Sequence, residues 1–283
     1  MTERNLKLQR GSVQPLIDLA VAEDIGTGDV TSDAVFTGQN RSSAKIIAKA
    51  DGIFCGGDTA LWVYDTIDKK VDVKILISDG TSIKRGDAAA EISGPTASLL
   101  AGERIALNFM QRMSGIATET ARLLALIDNT AVKILDTRKT LPGYRLLDKY
   151  SVRQGGGTNH RMGLYDMVMI KDNHIAAAGS ITAAVNAVRK LHGKKYLIEV
   201  ETTSIKEVKE ALMAAADIIM LDNMEPESVT EALKIIGSAA KSEISGNVIG
   251  ERLAALAALG PDYISIGALT HSVMAFDLSM RFE

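Results

Sequence analysis

Residues 136–174 read DTRKTLPGYRLLDKYSVRQGGGTNHRMGLYDMVMIKDNH, entered from the apolar run VKIL and left through MVMI, which ends on Lys171. Two short apolar runs separated by a polar, glycine-rich stretch predict two strands whose ends carry cations. Between Lys133 and Lys171 eight residues are basic (Lys133, Arg138, Lys139, Arg145, Lys149, Arg153, Arg161, Lys171) and three are acidic (Asp136, Asp148, Asp166). Eight against three leaves five positive charges in excess, in a chain whose net charge is -3. A basic cluster in an acidic chain implies a site for a polyanion rather than a general affinity for nucleic acid or membrane. A single lysine or arginine is most often a solvated loop charge, but placement argues for more here. Arg138 and Lys139 follow one strand candidate and Lys171 follows the other, so a rigid base delivers them. Gly155, Gly156 and Gly157, near His160 and Arg161, either bring backbone N–H groups up to an anion or form a flexible turn.

From residue 131 onward strands alternate with helices. The strand candidates are AVKILD (131–136), DMVMI (166–170), YLIEV (196–200), DIIML (217–221), SEI (242–244) and YISIG (263–267). The clearest helices between them are TAAVNAVRKL, SIKEVKEALMAA, PESVTEALKII and GERLAALAAL. With no hairpin signal in between, the alternation predicts a parallel sheet covered by helices, as a barrel or as an open doubly wound sheet. The barrel is favoured because successive strands end in polar or glycine residues: Arg138 and Lys139, Lys171, Glu201, Asp222, residues 245–247, and Gly267. A ring of strands gathers these at one mouth, where barrel enzymes keep their chemistry.

The part before residue 131 reads as α+β. VQPLIDLAVAED (13–24) has helical spacing with Ser12 as its cap, and SAKIIAKA (43–50) and VDVKILIS (71–78) alternate as strands around the helix candidate DTALWVYDTI. ISDGTSIKRGDAAAEISG (77–94) has the turn-and-strand rhythm of small sandwich folds that carry biotin or lipoate. Lys84 followed by Arg85 lacks the carrier's hairpin-tip pattern, so a framing domain is expected instead. After Pro95, TASLLAGERIALNFMQRMSGIATETARLLALI is helical, with a candidate break at Ser114 and Gly115. The expected division is an N-terminal α/β sandwich over 1–112, joined by the tail 272–283, and a barrel over 113–271.

Composition bounds the rest. A chain of 283 residues with 46% hydrophobic residues and five prolines suits an ordered globular enzyme of one large domain or two modest ones. No stretch approaches the roughly 18 apolar residues of a membrane span. The opening MTERNLKLQR has no apolar signal region, so a cytoplasmic location is expected. Cys55 is the single cysteine, excluding an internal disulfide, and its neighbours Ile53, Phe54 and Gly56 suggest a small buried residue. The four histidines form no zinc spacing: His160 adjoins Arg161 and is placed in the site, His192 is expected in solvent, and His174 and His271 have structural or phosphate-side readings. There is no GxSxG, P-loop or dinucleotide fingerprint.

The run RKTLPGYRLLDKYSVRQGGGTNHR followed by KDNH, together with EDIGTGDVTSD (23–33), GERIALNFMQRMSGIAT (102–118) and GALTHS (267–272), resembles quinolinate phosphoribosyltransferase, the decarboxylating enzyme of NAD synthesis. Several ordered motifs spread over nearly the whole chain are far more specific than a lone glycine pattern. The resemblance implies an incomplete α/β barrel of about six strands beside an α/β sandwich. It also implies a homodimer in which Arg104, otherwise a surface helix charge, reaches the neighbouring active site.

Charge matching and the resemblance together assign the site. Quinolinate carries two carboxylates and phosphoribosyl pyrophosphate carries a phosphate and a pyrophosphate, so several fixed cations are needed. Arg104, Arg138, His160, Arg161 and Lys171 are expected around the dicarboxylate, with bidentate arginine suited to a planar carboxylate. Thr137 joins the substrate-binding set, and Lys139 faces the phosphoribosyl donor or the leaving group. Glu201 and Asp222 either cap the following helices, with residues 202–204 near Glu201, or bind Mg2+ and ribose hydroxyls, the role the resemblance carries onto both. Ser245, Gly246 and Asn247, and Ile266, Gly267 and Ala268, offer backbone N–H groups for a phosphate, although members of the family this chain resembles often have a second glycine where Asn247 stands. Three readings compete: a nicotinate-using phosphoribosyltransferase, a relative associated with molybdenum transport, and a non-catalytic polyanion-binding or carrier module.

Overall fold

The structure is a computed structural model describing residues 7–36, 38–248 and 250–283, so the opening residues 1–6 lie outside it. In chain order it begins with α1 (Arg10–Ile25), α2 (Val30–Val35), β1 (Arg41–Ala48), β2 (Gly52–Ile53), α3 (Gly57–Ile67), β3 (Asp72–Ile75), β4 (Ser82–Ile83), β5 (Ala88–Pro95) and α4 (Thr96–Ala125). There follow β6 (Lys133–Leu135), α5 (Arg145–Gln154), β7 (Val168–Ile170), α6 (Asp172–Ala178), α7 (Ile181–His192), β8 (Ile198–Thr202) and α8 (Ile205–Met213). The chain ends with β9 (Ile218–Asp222), α9 (Pro226–Ile236), β10 (Lys241–Ser245), α10 (Gly250–Ala257), β11 (Tyr263–Ser265), α11 (Ala268–His271) and β12 (Leu278–Phe282).

Two compact units result. One gathers residues 2–122, 140–156 and 268–283; the other gathers 123–139 and 157–267. The first is built on an antiparallel sheet in the order β12-β1-β5-β3, so the C-terminal strand lies beside β1, with Ala44 opposite Phe282 and Ala48 opposite Leu278. β1 buries alternate residues, Ala44, Ile46 and Ala48, the period of a sheet with one face in a core. They join α1's Val13 and Ile17, α3's Val63 and Tyr64, and α4's Phe109, Met110 and Met113 in one apolar cluster.

Three local expectations change. α1 starts at Arg10 with Gln9 as its N-cap, so Ser12 lies inside the helix, its N–H donating to the Gln9 carbonyl. α4 is a continuous 30-residue helix with no break at Ser114 or Gly115. Those residues serve close approach: the Ser114 hydroxyl donates to the Cys55 carbonyl and accepts from its N–H, and a Cβ on Gly115 would lie 2.2 Å from the Met274 carbonyl oxygen. Gly155 likewise ends α5 where a Cβ would lie 2.3 Å from the Ala117 carbonyl oxygen, so packing accounts for it. Cys55 is fully buried, and burial pushes its thiol well above the ordinary range.

The second unit is a six-stranded sheet in the order β6-β11-β10-β9-β8-β7, every pair parallel. The six strands predicted from residue 131 onward are these six. Chain neighbours are sheet neighbours except at one seam, between β6 and β7, so the order is that of an incomplete α/β barrel. At the seam, segment 157–161 lies along β6: the Thr158 N–H donates to the Ile134 carbonyl and the Asp136 N–H to the Thr158 carbonyl. Helices α7, α8 and α9 follow their strands, with Ser180 and Ser204 accepting from the N–H groups of Ala183 and Glu207 as N-caps.

Candidate active site

Register decides which side chains share a face, because paired residues in a parallel sheet, and residues two apart in a strand, point the same way. Met169 is opposite Glu199, Glu201 opposite Met220, Met220 opposite Glu243, and Asp222 opposite Ser245. One face therefore carries Glu199 and Glu201, Met220 and Asp222, Glu243 and Ser245. The interleaved Ile198, Val200, Ile219 and Leu221 point the other way, toward the helices, and are buried. The polar face has an upper tier at the C-terminal strand ends and a lower tier one residue pair deeper.

In the upper tier the Lys171 ammonium, one residue past β7, donates to Glu201 Oε2 at 2.6 Å. Lys171 is also the N-cap of α6, where its N–H donates to His174 Nδ1 at 3.0 Å, giving His174 a structural role. Glu201 lies within β8 and Ser204 caps α8, so helix capping does not explain Glu201. Asp222 ends β9, half-buried, and its Oδ2 accepts from the Asn223 side chain at 2.9 Å. Past β6, the Thr137 hydroxyl accepts from the Lys139 N–H; Arg138 is half-buried and Lys139 exposed.

The turn after β10 is tightly built. The Asn223 N–H donates to the Ser245 carbonyl, and a Cβ on Gly246 would lie 2.1 Å from Asn223 Oδ1. Gly246 has φ 96° and Asn247 φ 46°. Asparagine tolerates this left-handed conformation better than most residues, which suits Asn247 to the turn. After β11, the Ile266 N–H is already donated to the Leu135 carbonyl, so it does not serve the expected phosphate contact. Ala268 opens α11 and, like the exposed Arg104 on α4, belongs to the first unit.

The lower tier was not foreseen. His160, Glu199 and Glu243 are buried together, with His160 Nε2 2.9 Å from Glu199 Oε2 and 3.5 Å from Glu243 Oε2. Burial pushes the Glu199 carboxyl up to about 7, and burial with the adjacent Glu199 charge pushes Glu243 well above the ordinary carboxylate range. His160 is held on its other sides: its N–H donates to buried Asp136, and its Nδ1 accepts from the Arg161 N–H at 2.7 Å. The Arg161 guanidinium donates to the Met167 carbonyl, with Arg138 and Glu199 as electrostatic neighbours; burial, then Arg138, lowers its proton affinity. His160 therefore faces the floor and Arg161 lies between floor and mouth.

A signal for the lower tier existed in IEVET. In a strand whose Ile198 and Val200 lie under helices, Glu199 and Glu201 must both face inward. The basic cluster, by contrast, divides. Arg138, Lys139, Arg161 and Lys171 belong to the barrel's C-terminal end and Lys133 starts β6, whereas Arg145, Lys149 and Arg153 are on α5 in the first unit. In that unit Asp148 takes a bidentate pair from Arg112 at 2.9 and 2.8 Å.

An open parallel α/β barrel whose C-terminal strand ends gather cations and two carboxylates has the layout of α/β-barrel enzymes, which keep their chemistry at that face. Residues 116–281 match the family described as quinolinate phosphoribosyl transferase, C-terminal domain, and residues 29–114 match its N-terminal domain. Over 268 residues the chain is 46% identical to the probable nicotinate-nucleotide pyrophosphorylase [carboxylating] of Bacillus subtilis (strain 168), covering 95% of this chain and 92% of that one. It is 43% identical over 287 residues to quinolinate phosphoribosyltransferase [decarboxylating] 1b of Nicotiana tabacum, covering 95% and 81%. The nicotinate-nucleotide pyrophosphorylase structure from Francisella tularensis superimposes with a TM-score of 0.95 over 100% of both chains at 39% identity. The chain belongs to the quinolinate phosphoribosyltransferase family.

Proposed function

We propose that this protein converts quinolinate and phosphoribosyl pyrophosphate to nicotinate mononucleotide, pyrophosphate and carbon dioxide, a decarboxylating pentosyl transfer in NAD biosynthesis. The observation that carries the reading is the C-terminal end of the barrel sheet: Lys171 paired with Glu201, Asp222 ending the adjacent strand, and Arg138 and Arg161 as electrostatic neighbours of one another. Arginine forks and the Lys171 ammonium orient the two substrate carboxylates, and Lys139 and Thr137 face the phosphoribosyl donor. Lys171 exchanges its Glu201 partner for a substrate carboxylate, which leaves Glu201 available at the moment the donor is bound. The turn at 245–247 takes the 5′-phosphate through backbone N–H groups.

Two carboxylates on adjacent strands suit Mg2+, which binds through one or two carboxylates, waters and substrate phosphates. Glu201 and Asp222 would hold it, and when bound it neutralises the departing pyrophosphate. The chain's own residues position the pyridine nitrogen against ribose C1 and keep positive charge around developing negative charge. Once the nitrogen carries ribose it is cationic, so loss of the adjacent carboxylate as carbon dioxide leaves a carbanion beside positive charge without an enzyme base, and a proton from water completes the product.

The reading includes a homodimer to which each protomer contributes Arg104, supported by its exposure on α4. Arg104→Ala and Lys171→Ala proteins are each expected to be inactive. Mixed and reassociated, they should regain about a quarter of wild-type activity, because half the dimers carry one intact site; no recovery contradicts the shared site. Among the described residues no helix is long and apolar enough to cross a membrane. A cytoplasmic location goes with this reading, and suits a chain whose one cysteine is a buried thiol.

A further inference from the structure

The lower tier needs an explanation that the reaction does not supply. None of the four oxygens of Glu199 and Glu243 accepts an ordinary hydrogen bond from a described residue, although both side chains are fully buried. Buried carboxyl groups without donors are costly, and apolar replacements of similar volume are often neutral or stabilising, so the pair is poorly explained by stability. A metal ion is the obvious guest for one imidazole and two carboxylates. The histidine argues against it: Nδ1 already accepts the Arg161 N–H, so Nε2 carries the ring proton and has no lone pair for a metal. Nε2 lies 2.9 Å from Glu199 Oε2 and 3.5 Å from Glu243 Oε2 without an aligned hydrogen bond to either, so it is the charge of the carboxyl pair that favours a proton on that nitrogen.

We propose that Glu199 and Glu243 are positioning residues: they hold His160 in its Nε2–H tautomer, so that Nδ1 fixes the Arg161 backbone and the Arg161 guanidinium is presented to a substrate carboxylate. The chain of contacts is short and rigid. Glu199 and Glu243 stand on β8 and β10, His160 is tied to Asp136 after β6, and the Arg161 guanidinium is tied to the Met167 carbonyl. Without the carboxyl pair the ring is free to take the Nδ1–H tautomer, which sets two N–H donors against each other at the Arg161 backbone. The consequence for substrate rests on the dicarboxylate role proposed for Arg161.

The test has two arms, using the full-length protein. Histidine nitrogen NMR of the wild type should show His160 as the Nε2–H tautomer, and Glu199→Leu should lose that signature. A wild-type Nδ1–H tautomer overturns the proposal whatever the protein turns over. In steady-state kinetics, Glu199→Gln should raise the KM for quinolinate by about tenfold, and Glu199→Leu by about a hundredfold, the range of one charge-assisted contact. The KM for phosphoribosyl pyrophosphate should stay within about twofold, and the melting temperature should hold or rise. If the leucine variant fails to fold, Glu199→Gln and Glu243→Gln carry both arms. An unchanged quinolinate KM, or both KM values and stability moving together, overturns the positioning role. A wild type that ignores quinolinate sinks the substrate assignment instead, leaving the NMR arm to decide the tautomer.

Discussion

The two units fill their interiors in opposite ways. The first closes over an apolar cluster in which Tyr64, Phe54 and Phe109 are fully buried, and its one thiol, Cys55, is silenced by burial. The barrel unit buries His160, Glu199 and Glu243 under its mouth. Apolar burial stabilises by roughly 25 cal/mol per Å², whereas each buried carboxyl works against folding. The contrast teaches that the first unit is built for shape and the second gives up stability for a charged, ordered site.

The largest way to break this contrast is at the mouth. Arg138→Ala or Lys171→Ala should lower kcat/KM for quinolinate by about a hundredfold to a thousandfold, each removing a charged contact to substrate, with little change in melting temperature. Wild-type turnover in both would remove the site from the upper tier. In the apolar unit the effect should be reversed in kind. Gly115→Ala drives a methyl group against the Met274 carbonyl, and should cost about 1–3 kcal/mol of stability by denaturant unfolding. An unchanged midpoint would mean that α4 and residue 274 do not pack this closely.

The smallest effect sharpens the charged floor. The Glu243 carboxyl has an ordinary value of 4.5 and is raised by burial, then by Glu199. Between 4.5 and that raised value the unfolded chain has lost the proton while the folded chain retains it. Its contribution to stability is therefore full below 4.5 and is lost as pH rises through the folded value. Glu243→Gln should flatten the decline of stability with rising pH over that window, measured by urea unfolding at several pH values. A slope identical to wild type would place the proton elsewhere.

The alternation of short apolar strands with amphipathic helices from residue 131 made the parallel barrel legible, because each βα unit carries its own periodicity. The strand-end residues Lys171, Glu201 and Asp222 were legible for the same reason. Ser114 and Gly115 misled, since they weaken a helix locally while long-range packing against Cys55 and Met274 decides their presence. The basic cluster also misled in part: sequence proximity joined α5's Arg145, Lys149 and Arg153 to residues that fold into a different unit. Glu199 and Glu243 were hidden because the lower tier depends on cross-strand register, which puts residues 44 positions apart on one face. His160 could be placed at the site by its neighbour Arg161, but not turned toward the floor.

The most direct test of the central claim is to give purified protein phosphoribosyl pyrophosphate with quinolinate, and with nicotinate in a parallel reaction, each with and without magnesium, and to measure pyrophosphate and carbon dioxide. Both products from quinolinate alone, and only with magnesium, are the predicted result. Pyrophosphate release from nicotinate but not from quinolinate, or no release from either by a folded protein, would contradict it.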